Sequence, residues 1–154
     1  MMEKIAELLK EKKFWIATAE SCTSGLVAHN LTNVPGSSEY FKGGVVAYSN
    51  EIKIKVLGVK KETLEKFGAV SHQTAHEMAH GVKNLMNVEV AISTTGIAGP
   101  GGGTPEKPVG LVYIGLATPD GVKTRKFIFE GNRIENKENF CKAGLNMLLE
   151  YLER

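Results

Sequence analysis

Short apolar runs alternate with stretches of helical periodicity along almost the whole chain, and that alternation restricts it to a layered α/β architecture. The apolar runs fall at residues 14–19, 43–48, 88–93, 109–117 and 122–129. A charged, amphipathic first segment carries Ile5, Leu8 and Leu9. Helical spacing recurs at Leu26, Val27, Asn30 and Leu31, and again from Ile52 to Gly58 and from Glu62 to Gly68. Ser71 can cap a longer helix with Ala75, Met78, Ala79, Val82, Leu85 and Met86 on its core side. Gly131-Asn132 opens a last helix faced by Cys141, Leu145, Leu148 and Leu152. Pro119-Asp120-Gly121 lies between the last two runs and predicts an antiparallel hairpin, so the sheet is expected to be mixed.

At 154 residues the chain fits one domain. A hydrophobic fraction of 42% and a charged fraction of 23% exclude disordered, collagen-like and coiled-coil classes. Lys+Arg 19 against Asp+Glu 17 leaves a net +2, too mild a balance to predict a nucleic-acid partner. Cys22 and Cys141 are too few for a disulfide framework, which favours a reducing, cytoplasmic compartment. The first segment lacks the continuous apolar run of a signal peptide, and no stretch is long enough to span a bilayer, so no membrane partner is expected.

Three segments carry candidate chemistry. His76-Glu77-Met78-Ala79-His80 has the H-E-x-x-H form of a zinc-hydrolase helix. Its only extra histidine in range is His72, on the same helix. Three ligands along one straight helix span about 12 Å, too far to close round one ion. No metal is therefore expected, and the pattern reads as a solvated helix flank.

The loop 96–110 is rich in glycine and follows a strand, where α/β sheets tend to bind ligands. It lacks both the Walker lysine and the third glycine of G-x-G-x-x-G. It can still offer main-chain N–H groups to an anion, or serve as a flexible connection. Glu20-Ser21-Cys22-Thr23 stands between a strand and a helix start, a setting that suits a nucleophile and equally suits plain capping. Lys53 is a possible base if partly buried, or an ordinary helix lysine. From the residues alone, a serine or cysteine nucleophile near a glycine-lined anion site remains one reading among these.

Read together, these blocks resemble a known family. Ala19-Glu20-Ser21-Cys22-Thr23-Ser24-Gly25-Leu26 is similar to its A-E-S-C-T-G-G-L motif. Pro35-Gly36-Ser37-Ser38, Gly43-Gly44-Val45-Val46-Ala47-Tyr48-Ser49-Asn50, Lys53, Gly68-Ala69-Val70-Ser71, Thr95-Gly96-Ile97-Ala98-Gly99-Pro100 and Gly102-Gly103-Thr104 follow in order. The family is the C-terminal domain of the competence/damage-inducible protein CinA, with its stand-alone nicotinamide mononucleotide amidohydrolases.

The resemblance implies one three-layer domain over residues 1–154, a mixed β-sheet with helices on both faces. It implies hydrolysis of the nicotinamide mononucleotide carboxamide without a cofactor, by Ser21 as nucleophile and Lys53 as base, with Tyr48 near the pair. N–H groups at the start of the following helix would hold the oxyanion. Substrate contacts are implied for Cys22, Thr23, Gly44, Thr95, Gly96, Gly99, Gly102, Gly103, Thr104 and Arg133, and a homo-oligomer is expected. Ser24 replaces the first glycine of the usual pair, and Asn132, Asn136 and Lys137 depart from the usual pattern around Arg133. Those departures bear on the phosphate clamp more than on the pair, while Ser24 adds a side chain beside the nucleophile. The larger CinA proteins carry a further N-terminal domain, which this chain is expected to lack.

Overall fold

The apolar runs become five strands: β1 (Ile16–Glu20), β2 (Phe41–Val46), β3 (Val90–Gly96), β4 (Leu111–Thr118) and β5 (Gly121–Ile128). In the computed structural model, which describes residues 1–154, they form one sheet in the order β2-β1-β3-β4-β5. β1 runs parallel to both β2 and β3, while β3–β4 and β4–β5 are antiparallel. Every residue of β1 and the first six of β3 are buried, as expected of central strands covered on both faces. β5 is an edge strand and alternates between half-buried and exposed residues.

Six helices cover the sheet: α1 (Met2–Lys12), α2 (Leu26–Thr32), α3 (Asn50–Leu57), α4 (Lys61–Phe67), α5 (His72–Met86) and α6 (Arg133–Leu152). Ile5 and Leu9 of α1, Val27 and Leu31 of α2, and Phe140 and Leu148 of α6 pack on Ile16, Val90, Ile92, Val112 and Ile114. On the other face Leu57 of α3 and Met78, Ala79 and Val82 of α5 meet Ala17, Ala19, Ala91 and Ala117. Burial of each large apolar side chain contributes about 1.5–3 kcal/mol, so each layer depends on its helical stripe. The alanine-lined face brings α5 close to the strands. A side chain at Gly115 would come within 2.6 Å of the Ala75 carbonyl, and Ser93 Oγ donates to that same oxygen at 2.6 Å.

The expected order of elements, the hairpin and the three layers are all present. Boundaries move for local reasons. β1 starts at Ile16 because Lys13 closes α1 in a left-handed conformation (φ 58°). α2 starts at Leu26, since Ser24 (φ 43°) and Gly25 (φ 104°) hold residues 21–25 in a turn. Ser49 caps α3 by accepting from the Ile52 amide at 3.2 Å, which ends β2 before Tyr48.

The strand order creates a crevice. α2 leaves β1 toward one face, whereas α3 to α5 connect β2 to β3 across the other. The chain leaves β1 toward β2 and leaves β3 toward β4 on the opposite side, so the carboxyl ends of the adjacent parallel strands β1 and β3 open between diverging connections, the place where α/β sheets bind ligands. Glu20 pairs with Thr94 there, and Ser21 is the next residue out.

Candidate active site

Ser21 is the first residue beyond β1, and its amide donates to the Thr94 carbonyl at 3.0 Å. Lys53 reaches it from the first turn of α3. Although lysine is a surface residue by habit, Lys53 is only 1% exposed. Its Nζ donates to the Tyr48 carbonyl at 2.9 Å and lies 3.1 Å from Ser21 Oγ. Burial lowers the Lys53 pKa from that of an ordinary lysine, and no carboxylate pairs with the ammonium to oppose the shift. This is how a lysine becomes a base toward a hydroxyl.

The neighbouring thiol is in the opposite condition. Burial pushes Cys22 up to about 12, so it stays protonated at neutral pH. Of the two candidate nucleophiles only Ser21 is hydrogen-bonded to the Lys53 amine.

A cavity of about 270 Å³ opens over the pair, with Ser21, Cys22, Tyr48, Asn50 and Lys53 on one side. Thr95, Gly96, Gly99, Gly102 and Arg133, each implied by the resemblance, also border it. The amides of Ala98, Gly99, Gly101 and Gly102, all cavity-lining residues, make no internal hydrogen bond. Arg133, the first residue of α6, donates through one guanidinium nitrogen to the Gly99 carbonyl at 2.7 Å, and its other nitrogen lies 3.5 Å from the Tyr48 hydroxyl. The Tyr48 ring is exposed; what reaches Lys53 is its main-chain carbonyl.

Four of the implied contact residues lie outside the cavity lining. The Thr23 hydroxyl is buried between the Glu20 carboxylate (2.5 Å) and Thr94 Oγ1 (2.8 Å). Gly44 lies within β2, where a side chain would overlap the Thr18 hydroxyl. Gly103 packs against Val109, and Thr104 is exposed and accepts from the Lys107 amide at 3.0 Å. The Thr95 hydroxyl donates to the Ala69 carbonyl at 2.7 Å, so its proton is already committed.

The expectation about the oxyanion needs correction. The amides at the start of α2 are already bonded: Gly25 and Val27 donate to Glu20 Oε1 at 3.1 and 2.9 Å, and Ala28 donates to Oε2 at 3.0 Å. The helix start is satisfied by a side chain from β1 and has no N–H to offer.

Ser24 does not crowd Ser21. Its hydroxyl accepts from Lys137 Nζ at 3.0 Å on the outer surface between α2 and α6. Asn136, a departure in the sequence, is completely buried. It donates to the carbonyls of Ala98 and Gly131 and accepts from the Gly131 amide, tying the glycine loop to α6.

Sequence reasoning missed Asn50, Ala69 and Val70 as cavity residues, and the role of Glu20. Asn50 was accessible in principle, since it stands three residues before Lys53 and so shares its helix face. Ala69 and Val70 come from the connection ahead of α5 and carry no local signal.

The histidine motif stands elsewhere. His76 and His80 are exposed on α5, while Glu77 accepts from the Lys60 amide (2.8 Å) and Thr63 hydroxyl (2.6 Å), capping α4. No three His, Cys, Asp or Glu side chains converge anywhere in the chain, and no helix is long and apolar enough to cross a membrane.

The model of the CinA C-terminal domain family matches residues 1–152. A CinA-like protein of Chloroherpeton thalassium is 57% identical over 97% of this chain, and one of Desulforapulum autotrophicum is 54% identical over 96%. The chain spans about 37% and 35% of their respective lengths. Among solved structures, the competence/damage-inducible protein CihA of Agrobacterium tumefaciens is 40% identical with a TM-score of 0.92, covering 99% of this chain and 96% of that one. The competence damage-inducible protein A of Klebsiella pneumoniae is 31% identical with a TM-score of 0.96, covering 99% and 95%.

Proposed function

Because the chain belongs to the CinA C-terminal domain family, we propose that it hydrolyses the carboxamide of nicotinamide mononucleotide, giving nicotinic acid mononucleotide and ammonia. The observation that carries the proposal is the buried Lys53 amine 3.1 Å from Ser21 Oγ. Neutral Lys53 takes the Ser21 proton as Oγ attacks the carboxamide carbon. The tetrahedral intermediate collapses when the Lys53 ammonium returns that proton to the departing nitrogen, which leaves as ammonia. Water then attacks the acyl-enzyme with Lys53 again as base, and Ser21 recovers its proton as the carboxylate departs.

The remaining wall suits a mononucleotide. Unpaired amides at Gly99, Gly101 and Gly102 form a concave set of donors for phosphate, and Arg133 supplies the positive charge. Ala69, Val70 and Ile97 provide apolar surface for a pyridine ring. The test is ammonia release from nicotinamide mononucleotide, with and without EDTA, by wild type and Ser21→Ala. Release that ignores EDTA and vanishes in Ser21→Ala supports the proposal. Binding without release overturns it in favour of a non-catalytic nucleotide module.

A further inference from the structure

The carboxylate of Glu20 is 1% exposed and forms no salt bridge. A buried charge of this kind is tolerated only when its oxygens are fully hydrogen-bonded. Glu20 meets that condition with four donors from one short stretch: the Thr23 hydroxyl and the amides of Gly25, Val27 and Ala28. An ordinary N-cap bonds one or two amides of the first turn. Glu20 grips the whole turn after the nucleophile as well.

The amides from Ser21 to Ala28 can be followed one by one. Ser21 donates to Thr94, Ser24 to Ser21 and Leu26 to Thr23 through main-chain carbonyls. Gly25, Val27 and Ala28 donate to Glu20. Only Cys22 and Thr23 have no carbonyl or carboxylate partner. Of these two, Cys22 borders the cavity and Thr23 does not. Within the turn that follows Ser21, the unpaired main-chain N–H whose residue borders the cavity is therefore that of Cys22, and the N–H of the residue after a nucleophile is a position that suits an oxyanion.

We infer that Glu20 is a positioning residue, which locks the turn 21–25 so that Ser21 Oγ faces Lys53 and the Cys22 main-chain N–H is left as the oxyanion donor. The inference rests on Ser21 being the nucleophile and is independent of which amide is the substrate. Thr94 holds the turn from the opposite side, by its carbonyl to Ser21 and its hydroxyl to Thr23, so the turn is clamped between β1 and β3.

The experiment follows phosphonylation of Ser21 by a fluorophosphonate, using intact mass, in wild type, Glu20→Asp and Glu20→Gln, beside ammonia release and thermal melting. In phosphonylation Oγ bonds to phosphorus, fluoride leaves, the serine proton passes to Lys53 and the phosphoryl oxygen needs the same N–H donor. Glu20→Asp keeps the charge but withdraws the oxygens by one methylene. Labelling is expected to slow about 100-fold, the scale of a misplaced nucleophile or a lost oxyanion donor. Glu20→Gln keeps the reach and one acceptor, so labelling slows about tenfold, and the rising limb of its pH profile moves less than the rate. Cooperatively melting variants that label within threefold of wild type overturn the inference. If Glu20→Asp does not melt cooperatively, Glu20→Gln decides alone by the same criterion. Labelled wild type that releases no ammonia defeats the nicotinamide mononucleotide reading while this assignment stands. Wild type that resists labelling at every pH overturns both.

Discussion

Lys53 Nζ lies 3.1 Å from Ser21 Oγ across 32 residues of sequence, and the two meet at the shared carboxyl end of adjacent parallel strands. Ser21 is carried by β1 and Lys53 by the helix that follows β2, the strand paired with β1. The contact thus depends on the β1–β2 register as much as on the side chains themselves.

Removing either partner should abolish turnover. Ser21→Ala and Lys53→Ala are each expected to lower kcat by about 10³-fold or more, as for members of other nucleophile–base units. The double variant should be little worse than either single one. Steady-state ammonia release measures all three, and additive losses would mean that the residues do not act together.

Activity should rise with pH. Burial lowers the Lys53 pKa, so the neutral base appears at a lower pH than for a free lysine. The rising limb of kcat/KM is expected at an apparent pKa below 10.5, the ordinary lysine value. The stability effect has the same sign. Between the folded and unfolded pKa values the unfolded chain binds more protons, so stability increases as pH rises through that window. Lys53→Met should be more resistant to denaturant than wild type at neutral pH, with the gap closing as the pH approaches 10.5.

Neither thiol should react in the native protein. Burial pushes Cys22 and Cys141 up to about 12. Iodoacetamide at pH 8 is expected to leave both unmodified until denaturant is added, as read by intact mass. Rapid native labelling of Cys22 would reopen it as the nucleophile.

The histidine motif should matter for stability alone. His76→Ala and His80→Ala are expected to leave turnover within about twofold, since both rings are exposed away from the cavity. Glu77→Ala removes the acceptor for Lys60 and Thr63 and should cost about 1–2 kcal/mol in denaturant melts. A large loss of kcat in His80→Ala would revive a hydrolase centred on α5.

Asn136→Ala should weaken both fold and binding. It deletes the link from α6 to Ala98 of the glycine loop and two further hydrogen bonds to Gly131, leaving polar groups unsatisfied at a cost of about 1–3 kcal/mol. Because Gly99 and Arg133 sit at either end of that link, KM is expected to rise more than kcat falls.

Much of the architecture was legible because apolar periodicity differs between strand and helix, and the Pro119-Asp120-Gly121 turn announced the antiparallel half of the sheet. Ser71 and Asn132 were readable as caps for the same local reason, and each accepts from the amide three residues on. The site was less legible. Nothing near Lys53 in the sequence indicates burial, which arises from packing around α3. The Glu20 carboxylate is a long-range cap for a helix that starts six residues away, a relation with no fixed spacing. Asn136 reads in the sequence only as a departure near Arg133, yet it is a buried bridge, visible only once α6 lies beside the loop.

The connection between β3 and β4 is closed at its neck, where Ile97 donates to Leu111 and Gly110 donates back to Ile97, while residues 101–106 are exposed. Neck and tip are therefore mechanically separate. Evolution or an engineer can lengthen, shorten or exchange the tip without disturbing strand pairing or the serine on the neighbouring strand. The part of the tip that borders the cavity can therefore vary while the contact between Ser21 and Lys53 stays constant.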